Sequence, residues 1–150
     1  MRRSPVRIRS GPQLINYMEI EPPSSIKIVD IKGKGRGVVA TQKIKKDEVI
    51  ETCPIVVLSQ KECDFIEKEG NNAILNYYYL FQEDIGRCCI MLGWGSIYNH
   101  DLNPNADIDY PDSKDEKYLQ FKALRDIEPG EEIVFNYEFD NDISDFLKSD

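Results

Sequence analysis

Turn-forming residues interrupt this chain so regularly that no long element has room to form. Lys32-Gly33-Lys34-Gly35, Lys43-Ile44-Lys45-Lys46-Asp47, Gly70-Asn71-Asn72, Gly93-Trp94-Gly95, Pro111-Asp112-Ser113-Lys114-Asp115 and Glu128-Pro129-Gly130 each carry turn-favouring residues. The runs between them alternate or are rich in β-branched residues, and they read as short strands. These are Ser25–Asp30, Gly37–Thr41, Glu48–Glu51, Pro54–Leu58, Arg87–Leu92, Ala106–Tyr110, Lys117–Leu124 and Glu132–Tyr137. Ser59, with Glu62 three residues later, forms a capping box that opens one helix, Gln60 to about Glu69, ended by Gly70-Asn71-Asn72. Ala73–Phe81 is a short aromatic run whose period does not decide between a strand and a buried helix. In Glu128-Pro129-Gly130, proline fixes φ and glycine supplies φ > 0, as a type II turn needs. The pattern is mainly β and excludes a doubly wound nucleotide fold, which alternates strands with long helices.

A chain of 150 residues gives one domain with a real core. No apolar run approaches the ~18 residues of a membrane helix, so no membrane partner is expected. The start lacks the apolar segment of an export signal, which implies an intracellular protein, cytoplasmic or nuclear and not secreted. Residues 1–22, broken by prolines, read as a disordered basic tail, because Pro5 and Gly11 spoil a targeting helix. The folded domain is expected over 23–140. Residues 141–150 form a short tail that closes the site or frays.

Net charge is −8, unevenly placed. Taking Arg2, Arg3, Arg7 and Arg9 from the 19 basic residues leaves 15 against 27 acidic, a balance of −12. An acidic body disfavours direct nucleic-acid binding and suits a lysine-rich partner, although solubility alone accounts for the charge. Cys53, Cys63, Cys88 and Cys89 include no zinc-type pair, so no metal is expected. They read as reduced, small apolar residues, with Cys88 and Cys89 on opposite faces of a strand.

Three segments carry the chemistry. Lys34-Gly35-Arg36-Gly37-Val38-Val39-Ala40 holds a G-x-G without the third glycine and helix of a dinucleotide site. Its glycines let the backbone approach a ligand closely, and by itself it is a common turn. Tyr98-Asn99-His100-Asp101-Leu102-Asn103-Pro104-Asn105-Ala106 contains the only histidine, among three asparagines. Taken alone it is a polar turn, although a buried Asn amide can both donate and accept. Gly130-Glu131-Glu132-Ile133-Val134-Phe135-Asn136-Tyr137 would pass for a core strand with aromatic residues.

In this order the three segments resemble the signature of SET-domain protein-lysine methyltransferases, over roughly residues 26–140. The match carries Asn99-His100 with Pro104-Asn105 spaced after it, and the closing Glu131-to-Tyr137 motif. Two stretches depart from the family: Asp101-Leu102 where Ser followed by Cys or a polar residue is frequent, and Asn136 where Asp is common. No cysteine follows Cys89, so the zinc cluster of many eukaryotic members has no counterpart in these residues, which resemble the minimal viral or bacterial type. The resemblance implies a SET-domain (β-clip) fold of short sheets, with one or two short helices and a C-terminal pseudoknot. There the Tyr137 strand is threaded against the Asn99–Asn105 loop.

It further implies S-adenosylmethionine as cofactor, with Lys34, Gly35, Arg36, Gly37, Asn99 and His100 binding it. Phe135 and Tyr98 would line the substrate channel, with Tyr137 catalytic. The substrate would be a lysine-containing protein or peptide, histone-like or otherwise basic, and a second copy of the chain is an allowed partner. A lysine amine, with ordinary pKa ~10.4, must lose a proton before it attacks, and an apolar channel beside a positive charge favours that loss. Tyr137 would align the amine rather than act as a base. Phe135, where a tyrosine would bind a water, implies room for di- or trimethylation. The competing readings are an inactive SET-like protein-binding module and a methyltransferase acting on a small amine.

Overall fold

The computed structural model describes residues 19–69, 74, 77–80, 88–110 and 117–137. Most of the expected 1–22 tail, the helix stop at 70–72, the turn at 111–115 and the tail at 141–150 lie outside the described residues.

The fold is built from short strands, as the turn spacing dictates. β1 (Ile26–Ile31) and β2 (Gly35–Ala40) form an antiparallel hairpin. Its turn is closed by the Lys34 N–H on the Ile31 carbonyl at 3.0 Å, with Gly33 at φ 81° where an L side chain is disfavoured. β3 (Val49–Val57), β4 (Tyr78–Leu80), β5 (Cys88–Met91), β7 (Ala106–Asp109) and β8 (Tyr118–Ala123) make a five-stranded sheet in the order β4-β5-β3-β8-β7. Part of the undecided Ala73–Phe81 run is therefore strand β4.

The two runs expected at Glu48–Glu51 and Pro54–Leu58 merge into β3. A bulge at Ile50 shifts its register against β8, and Pro54 stands where pairing passes from β8 to β5. The Pro54 carbonyl still accepts the Leu92 N–H at 2.7 Å, so the central strand tolerates a residue with no amide proton.

The helix α1 (Gln60–Glu69) has the expected bounds. Glu62 reaches back to accept the Ser59 amide at 2.7 Å and the Ser59 hydroxyl at 2.6 Å, and these bonds hold its carboxyl below the usual range. Cys63 and Ile66 face inward one turn apart, while Phe65 is exposed.

The cysteine reading needs correcting. Cys63 and Cys88 are joined by a disulfide that ties α1 to β5, with their Cα atoms 6.2 Å apart. Sequence spacing concealed it, because folding brings a helix position over a strand position 25 residues later. Cys53 and Cys89 are free and buried, and burial pushes the Cys89 thiol up to about 12. Neither free thiol is a nucleophile under ordinary conditions. Cys88 and Cys89 do face opposite ways, one to the helix and the other into the main core.

That core is filled by β3, β8 and the segments flanking them, with Leu119, Phe121 and Ala123 inward on alternate positions of β8. Ile44 and Ile127, both buried, exchange backbone hydrogen bonds at 3.0 and 2.8 Å and join the two turn regions. Each such side chain contributes about 2 kcal/mol by leaving water.

The last strand changes partners along its length. Around Glu132 it is antiparallel to β2, through Gly130, Glu131 and Ile133 bonded to Ala40 and Val38 at 2.8–2.9 Å. β9 (Val134–Phe135) then runs parallel to β6 (Asn99–His100). Asn105 secures the exchange: its Oδ1 accepts the Val134 N–H at 2.9 Å and its Nδ2 donates to the Glu132 carbonyl at 2.8 Å. The expected threading takes this form, and it divides what the sequence reads as one strand from Glu132 to Tyr137.

Candidate functional site

Two clusters meet at Asn99-His100. In the first, the Asn99 Nδ2 donates to the Arg36 carbonyl at 3.2 Å and to Glu132 Oε1 at 2.8 Å. Lys34 completes it with an ion pair to Glu132 Oε2 at 3.0 Å. Gly37 allows the approach, since a Cβ there would lie 2.6 Å from Ile31, 2.8 Å from the Asn99 amide and 3.0 Å from Glu132. A Cβ on Gly35, at φ 79°, would meet nothing within 4 Å, so the space beside its Cα is open. Lys34, Gly35, Arg36, Gly37 and Asn99 are thus brought together, Arg36 through its carbonyl. The sequence reading missed Glu132, whose carboxylate joins Lys34 to Asn99; its place in the closing motif was the available signal.

The second cluster surrounds Tyr137. Its hydroxyl donates to the Tyr98 carbonyl at 2.5 Å, and its backbone N–H donates to His100 Nδ1 at 3.1 Å. Accepting at Nδ1 places the His100 proton on Nε2. The Tyr137 ring lies 4.7 Å from Phe135 and 5.3 Å from His100, and Phe135 lies 5.1 Å from Phe121. Burial pushes the Tyr137 phenol up to about 12, with smaller contributions from Tyr77 and Glu132. It is therefore a neutral hydroxyl at physiological pH.

Tyr98 serves differently from a lining ring. Its side chain is fully buried against Phe121, at 4.6 Å, and its hydroxyl is bonded to Glu51, so it presents its carbonyl to Tyr137. Tyr79 on β4, which the sequence reading did not single out, lies 6.3 Å from Phe135 and donates to the Gly95 carbonyl at 3.4 Å. Among the described residues there is no group of three or more His, Cys, Asp or Glu that could hold a metal ion. No helix among them is long and apolar enough to cross a membrane.

A glycine-opened hairpin and an aromatic hydroxyl, joined through one parallel strand pair, define a β protein with a compound site where short sheets meet. The chain belongs to the SET-domain family, whose model matches residues 35–138. A Schizosaccharomyces pombe histone-lysine N-methyltransferase, described as H3 lysine-37 specific, is 34% identical over 115 residues, covering 76% of this chain and 74% of that protein. The N-lysine methyltransferase KMT5A-A of Danio rerio is 28% identical over 117 residues, 71% of this chain but 33% of its own length. Among solved structures, CpSET8 from Cryptosporidium is 28% identical with a TM-score of 0.63, over 77% of this chain and 58% of that one.

Proposed function

We propose that this SET-domain protein transfers methyl groups from S-adenosylmethionine to the side-chain amine of a protein lysine, with a histone as the substrate class. The observation that carries the reading is the Tyr137 hydroxyl, fixed on the Tyr98 carbonyl at 2.5 Å beside the Asn99-His100 strand.

The first cluster gathers polar groups of both signs, which suits a cofactor with a zwitterionic amino-acid end. Glu132 supplies a carboxylate paired with Lys34, Asn99 an amide, and Gly35 open space on the side where a Cβ would stand. Lys34, Gly35, Arg36, Gly37, Asn99 and His100 would hold the group, His100 through its Nε2 or backbone because Nδ1 is already bonded. When bound, S-adenosylmethionine supplies a methyl group activated on a sulfonium.

The chain's residues supply position and an apolar surround. Tyr137 spends its proton on Tyr98, which leaves its oxygen lone pairs to accept from the incoming amine and hold it in line. Phe135 and the rings packed around it exclude water, and exclusion favours the neutral amine. With its pKa raised, Tyr137 is no base, and the amine proton leaves to water. Phe135 has no hydroxyl to order a water, which supports more than one round of methylation.

The domain occupies residues 23–140, between flanking segments 1–22 and 141–150. Its acidic balance suits a basic protein substrate, and histone-modifying relatives support an intracellular, nuclear or cytoplasmic, location. The test is transfer of labelled methyl from S-adenosylmethionine to recombinant histone H3 and to a cell lysate, by the full chain and its Tyr137→Phe form. Transfer by the first, reduced about 100-fold or more in the second, is expected. Absence of both transfer and calorimetric cofactor binding would overturn the reading in favour of a binding module. Turnover confined to small amines would overturn the protein substrate.

A further inference from the structure

Glu51 is the only buried carboxylate among the described residues, 5% exposed, and no lysine or arginine there pairs with it. A carboxylate buried without a cation is costly unless neutral donors replace water. Oε1 accepts the Trp94 N–H at 2.9 Å, Oε2 accepts the Tyr98 hydroxyl at 3.0 Å, and the Cys53 thiol is a further, weaker donor to the carboxylate. The first two donors stand at opposite ends of the 3-10 turn Trp94–Ile97, so one side chain clamps the whole connection leading into Asn99-His100.

The surroundings are shaped for it. A Cβ on Gly93 would lie 2.7 Å from Glu51 Oε1, and a Cβ on Gly95 would run into Phe121 and lie 2.8 Å from the Cys53 sulfur. The two glycines flanking Trp94 are therefore the space that the carboxylate and its neighbours need. Leucine or methionine would fill a core position at no electrostatic cost, so a carboxylate here points to a geometric duty.

We infer that Glu51 is a positioning residue for Tyr137, acting through Tyr98: the carboxylate anchors the Tyr98 hydroxyl, and the Tyr98 carbonyl in turn orients the Tyr137 hydroxyl toward the substrate amine. The inference rests on the proposed methyl transfer for its kinetic consequence but not for its structural one. Tyr98 has both ends engaged, hydroxyl on Glu51 and carbonyl on Tyr137, so its backbone cannot shift without disturbing one of them. Glu51→Gln keeps the size and the Trp94 acceptor but puts a donor amide opposite the Tyr98 hydroxyl, which must turn from donor to acceptor and loses its bond to a charged oxygen.

The experiment uses the full chain, its Glu51→Gln, Tyr98→Phe and double variants, labelled S-adenosylmethionine, recombinant histone H3, and NMR of ring-labelled tyrosines with Tyr137 assigned through Tyr137→Phe. Glu51→Gln should lower kcat about 10-fold with KM for H3 unchanged, the pattern of a group acting on the transition state. The double variant should be no slower than the slower single, because both substitutions act on the one Glu51–Tyr98 bond. The Tyr137 resonance and its titration midpoint should move in each variant. A Glu51→Gln protein with a lower Tm but an unchanged Tyr137 resonance and unchanged kcat would make the role merely structural and overturn the inference. If Glu51→Gln does not fold, Tyr98→Phe decides by the same two readouts. If the wild-type chain transfers no methyl, the functional reading fails separately, and the Tyr137 resonance alone decides the positioning.

Discussion

Phe135 closes β9 and Tyr137 follows two positions later; they differ by one hydroxyl, yet their surroundings divide the labour between them. Phe135 is 3% exposed, held among Phe121, Tyr79 and Tyr137, whereas Tyr137 is 36% exposed with its hydroxyl engaged. A Phe135→Tyr substitution adds a hydroxyl that needs a partner or a water in this space. Mass spectrometry of the product should show the methylation count falling by at least one group relative to wild type; an unchanged distribution would remove Phe135 from the specificity argument. The raised Tyr137 pKa makes a second expectation. A phenol whose folded value lies above its ordinary 10.0 stays protonated through that value and ionises only as pH approaches about 12. The kcat profile should therefore climb with substrate deprotonation to pH ~10 without a descending limb from Tyr137. At this scale the sequence pointed to Tyr137, because a motif carries it. It was silent on Glu51, since nothing in a strand of alternating residues distinguishes a buried carboxylate from a solvated one.

Among the elements, the partner exchange of the last strand depends on Asn105 more than on any apolar contact. Asn105 is 1% exposed, its side chain bonded to Val134 and Glu132, and its backbone to Val134 and Leu124. Replacing it with alanine strands the buried Val134 N–H and the Glu132 carbonyl, at a cost of about 3 kcal/mol. Denaturant unfolding should show that loss with little change in m-value, and cofactor affinity should weaken as Asn99 loses its register against β9. The strands and turns themselves were legible because glycine and proline punctuate them and period-2 alternation fills them. Their partners were not, since pairing β3 with β8 or β6 with β9 depends on contacts far apart in the chain. The merging of two expected runs across Pro54 is the clearest case: proline suggested a break, and the structure uses it where one neighbour gives way to the next.

For the molecule as a whole, the Cys63–Cys88 bond fastens the helical insertion to the sheet edge that carries Tyr79 behind the site. With 25 residues separating its cysteines, it stabilises by about 3 kcal/mol in the chain-entropy description. Unfolding measured with and without reductant should differ by about that amount, and a Cys63→Ser, Cys88→Ser protein should behave as the reduced form in both. Acid offers a separate lever. Glu131 is held below its ordinary 4.5 chiefly by its hydrogen bond from Arg125. Its contribution is intact above pH 4.5 and fades as pH falls through the lowered folded value, so an Arg125→Ala protein should lose less stability than wild type over that acid range.

The exchange of partners in the final strand also governs when the site can exist during synthesis. A nascent chain that has emerged as far as Asp126 can already pair β1 with β2 and β3 with β8, yet it lacks what bridges Val38, Asn99 and Asn105. Those surfaces wait on the ribosome's delivery of residues 130–137, and their long-range pairing is the slow kind. No molecule that lacks residues 130–137 can therefore modify a substrate, so catalytic competence arrives only when that closing strand is translated and seated.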